Sequence, residues 1–272
     1  MPVWLLGELG IRPNRLHGLN YETEISNPFP LYWSPRVARV VASLLGDGSV
    51  SVDREENVVD VRYHNTDLAL VEQFVSDIRA LFGVDPTIME RPGHEPHHKQ
   101  KYQVNLSSAT GRILLKVLET ARENGLSDIP EAVRPAFVGS LLDDEGHVSH
   151  ERKAFISNTD HDLLKELRVI LSDWGIDAKV ATDQHKLHVR GRRDLERFFD
   201  IVPVTVDEKF YHGLDALSEY QVTRRKAKLL ESLRTEAKTT SELTEELNVT
   251  RGTINTTWDP VLTAAKVLGG EL

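Results

Sequence analysis

Two hydrophobic periods alternate along this chain, and the whole alternation occurs twice. Behind a Pro/Asn-rich stretch, Asn27-Pro28-Phe29-Pro30, the pair Ser34-Pro35 offers a helix cap and a proline at the first helical position. Ala38, Val41, Leu44 and Leu45 then recur at helical spacing until Gly46 and Gly48 end the run. Residues 49–52 and 58–63 change to the two-residue period of a hairpin. Residues 67–82 return to the helical period, with Leu68, Val71, Phe74, Val75, Ile78 and Leu81 on one face. Residues 87–90 and 102–106 read as strands around a polar loop, ERPGHEPHHKQK, and 110–123 as a helix. From residue 129 the order repeats. A helix is expected at 129–144 with Pro135 inside it, then a shorter hairpin at 147–149 and 154–158, a helix at 162–174, strands at 178–182 and 186–190, and a helix at 192–199.

The predicted fold is α+β, two α-β-β-α-β-β-α halves at 34–125 and 126–218, each with a four-stranded sheet. Residues 1–33 read as an N-terminal segment and linker. Residues 219–272 read as a small all-α domain. It has a basic amphipathic helix at 221–235, a helix at 239–247, the turn Asn248-Val249-Thr250 and a further helix at 251–262. Helix, tight turn and a helix rich in Thr, Asn and Arg is a helix-turn-helix pattern.

The halves also repeat residue by residue. VVASLLGDG at 40–48 and VGSLLDDEG at 138–146 are apolar runs with small residues inside, each closing on an acid and a glycine. The acids are Asp47 and Glu145. Asn-Thr-Asp follows in both copies, at 65–67 and 158–160, and then an amphipathic helix that stops at Gly83 or Gly175. The first copy carries five more residues between acid and Asn. The surplus is expected in the hairpin at 53–57, where an insertion is easily tolerated. Such a period is too long for a solenoid unit and suits a duplicated half-domain.

Two similar helices packed about a pseudo-twofold axis would each deliver a carboxylate to one place, as a divalent-metal phosphodiester site requires. Carboxylates meeting at helix C-termini repel each other and the helix dipoles, and a divalent cation removes that repulsion. Oxygen-only ligands favour Mg2+ (or Mn2+) over zinc. Ala42, Ser43, Gly46, Gly139 and Ser140 are small enough to let the helices approach closely.

Composition changes this picture little. The 272 residues, 40% hydrophobic and 28% charged, have room for one large or two moderate domains of an ordinary soluble protein. No apolar run nears the ~20 residues of a membrane span. The start, MPVWLLGELGIRPNR, has no basic segment before its apolar one, so no signal peptide is expected. The lack of cysteine excludes disulfides and thiolate metal sites and fits a cytoplasmic location. The net charge of −9 argues mildly against a nucleic-acid partner. Its distribution softens that argument, because a binding face needs only local positive charge. Residues 184–197, QHKLHVRGRRDLER, hold five basic residues against two acidic, and Arg224, Arg225, Lys226 and Lys228 form a second cluster.

Over about residues 34–220 the paired motifs and their matching downstream elements resemble the LAGLIDADG homing endonucleases in their two-motif, single-chain form. The resemblance implies a site-specific endonuclease of double-stranded DNA, a monomer with internal pseudo-twofold symmetry, dependent on Mg2+ (or Mn2+). It implies that the penultimate acids Asp47 and Glu145 are catalytic carboxylates that hold the metal, with Gly46 and Asp144 adjoining them in the metal set. Lys209, in VDEKFYHGL, falls where the family places a catalytic basic residue, which would stabilise the transition-state phosphate. The family's strands form a saddle in the major groove. Arg62, His64, Gln103, Asn105, Lys186, His188 and Arg190 become candidate base or phosphate contacts. Arg251 and Asn255, opening the last helix of the tail, are further DNA-binding candidates. Two departures stand out. Leu45 replaces the family's first Asp, and Asp144 stands where a small residue is usual, which is expected to widen the helix contact or reorient Glu145.

His94, His97 and His98 crowd one loop, and His147 and His150 flank the second acid, but their spacing does not suggest zinc. No Gly-rich phosphate loop or nucleophile elbow is present. The ends lack the Cys or Ser nucleophile and the closing His-Asn of protein splicing, so a free-standing enzyme is expected rather than part of an intein. Two other readings stay open. One is a non-catalytic DNA-binding regulator of the WhiA type, with a LAGLIDADG-like domain and a helix-turn-helix. The other is an RNA maturase for intron splicing. The retained acids favour cleavage; the appended helix-turn-helix favours the regulator.

Overall fold

A computed structural model describes residues 15–17, 24–26, 31–53, 55–56, 58–92, 100–149, 153–217 and 245. The predicted helix-turn-helix with Arg251 and Asn255, and the loop histidines His94, His97, His98 and His150, lie outside the described residues. Within the N-terminal segment, β1 (Arg15–His17) pairs antiparallel with β2 (Glu24–Ser26), and Ile25 is fully buried in the core.

Each half follows one plan. Helix α1 (Pro35–Leu45) starts where the Ser34 hydroxyl accepts the Val37 amide at 3.3 Å, with the proline in its first turn. β3 (Gly48–Asp53) and β4 (Val58–Asn65) form the hairpin. α2 (Leu68–Phe82), β5 (Ile88–Arg91), β6 (Lys101–Leu106) and α3 (Ser108–Asn124) complete the first half. The second half repeats this with α4 (Arg134–Glu145), β7 (Gly146–Ser149), β8 (Lys153–Ser157), α5 (His161–Asp173), β9 (Ala178–Ala181), β10 (Lys186–Arg190) and α6 (Arg192–Ile201). The strand orders, β3-β4-β6-β5 and β7-β8-β10-β9, are the same permutation, and every pairing is antiparallel.

The repeated Asn-Thr-Asp has a local cause in both halves. Asn65 Oδ1 accepts the Asp67 amide at 2.8 Å, and the Asp67 carboxylate accepts the Ala69 amide at 2.9 Å. Asn158 Oδ1 likewise accepts the Asp160 amide at 2.8 Å, and Asp160 caps Asp162 and Leu163 at 3.1 Å each. The motif therefore turns each hairpin into the following helix through an Asx turn and an N-cap. α2 ends at Gly83 in the left-handed region (φ 67°), as the chain does at Gly175 (φ 68°) after α5. The inward sides of the sheets and the apolar faces of the helices join in one buried cluster running through both halves, from Val41 and Val61 to Leu141, Ile156 and Leu187. Among the described residues no helix is long and apolar enough to cross a membrane.

Three expectations need correction. The second motif helix begins at Arg134, not near 129. Two short 3-10 turns, Leu126–Asp128 and Glu131–Val133, precede it, because Pro130 pushes Ile129 to extended backbone (ψ 123°) while Pro135 fits the first helical turn. The surplus in the first copy is not mainly a loop insertion. β3 and β4 make six register pairs where β7 and β8 make four, so most of it lengthens the ribbon. Finally, a helix absent from the sequence reading, α7 (Asp207–Leu217), follows α6. Its Leu214 and Leu217 are buried, and with Phe210 they fall at the i, i+4, i+7 spacing that could have revealed it.

Gly139 also serves a different neighbour from the one expected. A Cβ there would stand 2.5 Å from the Pro203 carbonyl oxygen and 2.9 Å from its Cγ. The small residue thus admits the segment after α6 to the back of α4. Gly139→Ala is expected to destabilise the fold by about 1–3 kcal/mol through overpacking, read as a lowered midpoint in urea unfolding. An unchanged midpoint would show that the segment yields freely.

Candidate active site

The site lies where α1 and α4 end. The helices pack side by side. Ser43 Oγ and Ser140 Oγ are 3.0 Å apart, and Ser140 Oγ donates to the Arg39 carbonyl at 3.3 Å. Farther along, a Cβ built on Gly46 would sit 3.1 Å from Asp144 Cβ and 3.2 Å from Glu145 Cγ. Gly46 therefore allows the two C-terminal ends to meet. Gly48 and Gly146 then fold the chain back so sharply that a Cβ would lie 2.4 Å from Leu44 Cα or from the Leu142 carbonyl oxygen, respectively. The acid-glycine pair thus turns helix directly into strand and leaves the acid at the corner.

One amide ties the two motifs together. Asn65 Nδ2 donates to Asp47 Oδ2 at 2.8 Å and to Asp144 Oδ1 at 3.2 Å. The same Asp144 oxygen accepts the Tyr63 hydroxyl at 2.6 Å. Its second oxygen, Oδ2, is buried without a hydrogen-bond partner. The counterpart amide, Asn158 Nδ2, reaches the opposite motif helix at the Leu45 carbonyl, 3.3 Å away. Asn65 and Asn158 therefore each bridge the halves, a role the sequence reading did not give them.

The electrostatics follow from gathering acids in partly dry surroundings. Burial raises the Asp47 carboxyl above its usual value, opposed by Lys209 and Lys101. Burial and then the Asp47 charge raise Glu145, again opposed by Lys209. Asp144 is pushed up to about 7, chiefly by burial, with Asp47 and Asp143 adding to the rise and the Tyr63 hydrogen bond working against it. The Tyr63 hydroxyl is held protonated by burial and by Asp144. These shifts describe a site short of positive charge.

Lys209 is a half-buried part of this site. Its Nζ donates to the Leu142 carbonyl at 2.8 Å and to the Asp143 carbonyl, satisfying the last turn of α4. Burial lowers its pKa while Asp143, Asp144, Asp47 and Glu208 raise it. Asp143 answers in the other direction, accepting the amides of Thr205 and Val206 at 2.9–3.2 Å just before α7. The pair fastens α7 to α4 and fixes the ammonium beside the carboxylates. A cleft of about 520 Å³ opens here, lined by Asp47, His64, Asn65, Lys101, Asp144 and Lys209 among others. Glu145 does not line it. Lys101, absent from the predicted set, is the second cation acting on Asp47.

The predicted DNA contacts fall on the sheet faces turned away from the core. Arg62 is exposed and ion-paired to Asp60. His64 is half-buried, its pKa lowered by burial and Lys101. Gln103 Nε2 donates to Asn105 Oδ1 at 2.6 Å. Lys186 Nζ lies 4.4 Å over the Phe155 ring, and Arg190 is exposed. His188 departs from the expectation of an exposed contact. It is only 8% exposed, beside the Phe155 ring (centroids 5.7 Å), and neither ring nitrogen has a hydrogen-bond partner.

Among the described residues no three His, Cys, Asp or Glu side chains gather as a metal cage. Asp47 and Glu145 stand at the ends of the two motif helices and offer only carboxylate oxygens. Such a set suits a hard divalent cation that keeps positions for water or phosphate.

A family described as "LAGLIDADG-like domain" matches residues 36–120 and 132–203, one segment in each half and together more than half of the chain. No curated protein matches. Among solved structures, mesophilic variants of the homing endonuclease I-DmoI are 18% identical, covering 72% of this chain and 97% of theirs, with a TM-score of 0.50. I-WcaI bound to its DNA recognition sequence is 14% identical over 67% of this chain and 88% of its own (TM-score 0.48). Full-length DUF199/WhiA from Thermatoga maritima is 13% identical over 90% of this chain and 96% of its own (TM-score 0.48). With its two motif helices, its duplicated sheets and a matching segment in each half, the chain belongs to the LAGLIDADG family.

Proposed function

We propose that this protein is a monomeric, site-specific endonuclease of double-stranded DNA that uses Mg2+ or Mn2+. The observation that carries the reading is the meeting of two helix ends, where Asp47 and Glu145 stand at pseudo-equivalent corners with pKa values raised by burial. Asp47 and Glu145 would hold the cation, and Asn65 fixes the rotamer of Asp47 through its 2.8 Å bond. A cation so held polarises a phosphodiester and lowers the pKa of attacking water. Lys209, restrained by two carbonyls, places a positive charge beside the same oxygens. The exposed sides of the two sheets would receive the duplex, and their polar and basic side chains support that use. The buried unpartnered oxygen of Asp144 also fits a site completed by a cation.

The test is a cleavage selection on a randomised duplex library with Mg2+ or Mn2+, followed by strand-resolved analysis of the products. Metal-dependent scission of both strands at one sequence is expected. Retention of specific duplexes with both strands intact in either metal would overturn the nuclease reading and leave a DNA-binding regulator.

Lys209→Met is expected to slow single-turnover cleavage by about a hundredfold, the scale of losing one positioned donor to the transition state. Duplex affinity should change much less. A cleavage rate like that of the parent protein would confine Lys209 to capping α4.

A further inference from the structure

The two sheets present different chemistry on their outward sides. The strands of the second sheet contain four basic residues, Lys153, Lys179, Lys186 and Arg190, and no acidic one. Register places Lys153 opposite Arg190 and Lys179 opposite His188, so the charges sit in adjacent rows of one face. Phe155 and His188 occupy the centre of that face. His188 reports the resulting field. Its pKa is lowered by burial and by Arg190, Lys186 and Lys153.

The strands of the first sheet contain three basic and three acidic residues, a net charge of zero. Its polar groups are tied in pairs: Arg62 to Asp60 along one strand, and Gln103 to Asn105 along the next. Arg62 and Asn105 are themselves register partners. Like charges gathered on one face attract phosphates at any sequence. Donors and acceptors held in fixed orientation are what reading of base edges requires.

We propose that the sheets divide the work of holding duplex DNA: β7–β10 grips the phosphate backbone at any sequence, and β3–β6 discriminates bases. This rests on the duplex-binding reading above and adds an asymmetry between halves that share one fold.

The test uses the full chain, a duplex obtained by selection from a randomised library, and a random-sequence duplex as reference, titrated over a range of salt. Neutralising the second sheet with K153Q, K179Q, K186Q and R190Q should weaken binding to both duplexes alike. The log-log salt slope should flatten by about 0.9 for each phosphate no longer neutralised, about 3.6 at most. Exposed Lys179→Gln alone should flatten it by about 0.9, which keeps the test decisive if the fourfold variant folds poorly. Gln103→Ala with Asn105→Ala should leave the slope unchanged and reduce the selected-to-random affinity ratio by about 10-fold or more, the scale of removing one bidentate hydrogen-bonded pairing to a base. Equal effects of the two sets on slope and ratio would overturn the division alone. A chain that binds neither duplex would overturn the functional reading as well.

Discussion

Glu145→Gln should abolish metal-dependent strand cleavage while duplex binding persists, and Asp47→Asn should do the same. Each change keeps the shape of the side chain and removes one of two anionic oxygen donors from an open site. The loss is several kcal/mol of transition-state stabilisation, about a thousandfold or more in rate. Binding should survive, because both residues sit at helix ends and their replacement leaves the sheet faces intact. In the metal-free protein these variants should fold at least as well as the parent, since each removes an acid whose ionised form burial disfavours. The measurements are single-turnover cleavage, duplex affinity in a non-catalytic cation and urea unfolding. Binding that disappears in parallel with cleavage would assign the acids to the fold.

The second large effect concerns Asp144 and pH. Burial pushes its carboxyl up to about 7, against 3.8 for the free side chain. Below both values the folded and unfolded chains carry the same proton. Between them the unfolded chain ionises while the folded one keeps its proton, so stability falls as pH rises. Above about 7 the loss is complete. At 1.36 kcal/mol per unit it is at most about 4 kcal/mol. Asp144→Asn keeps an oxygen for the Tyr63 hydroxyl and the Asn65 amide, and places an uncharged amino group where Oδ2 has no partner. Its stability relative to the parent should therefore climb between about pH 4 and pH 8 in chelator, approaching that figure. A difference that stays flat across this range would show that Asp144 ionises normally and that water reaches its free oxygen.

Most elements of the fold were legible because periodicity and punctuation agreed. Ser34-Pro35 marked a start, Gly83 marked a stop, and the β-branched run from Val58 marked a strand. The duplication supplied what one copy could not, since a single apolar-Asp-Gly string is common. α7 is less legible, because only Phe210, Leu214 and Leu217 carry its apolar spacing in a stretch rich in polar residues. The start of α4 was misplaced because Pro130 and Pro135, five residues apart, can both be drawn into one helix on paper. The backbone accepts only the second. In the candidate site, the corner acids stand out by their place in the repeat, and Lys209 only through the resemblance to the family. The Asn65 bridge, the Tyr63 hydroxyl and the Lys101 charge do not, because each acts across a sequence distance that only the folded sheet closes. Asn-Thr-Asp is visible as a pattern, but nothing in the string shows that its Asn reaches into the opposite half.

The unequal hairpins bear on the shape of any target. Two additional rungs in β3–β4, at about 3.4 Å per residue, carry the first ribbon some 7 Å farther than its twin. Along a duplex that is close to two base-pair steps of about 3.4 Å each. If each ribbon tracks its own side of the site, the recognised sequence is lopsided. Its longer arm belongs to β3–β6, and a palindrome of the shorter arm should be bound more weakly than the two arms together. Duplication would then have given this protein a twofold frame and, through a few residues in one hairpin, a target without twofold symmetry.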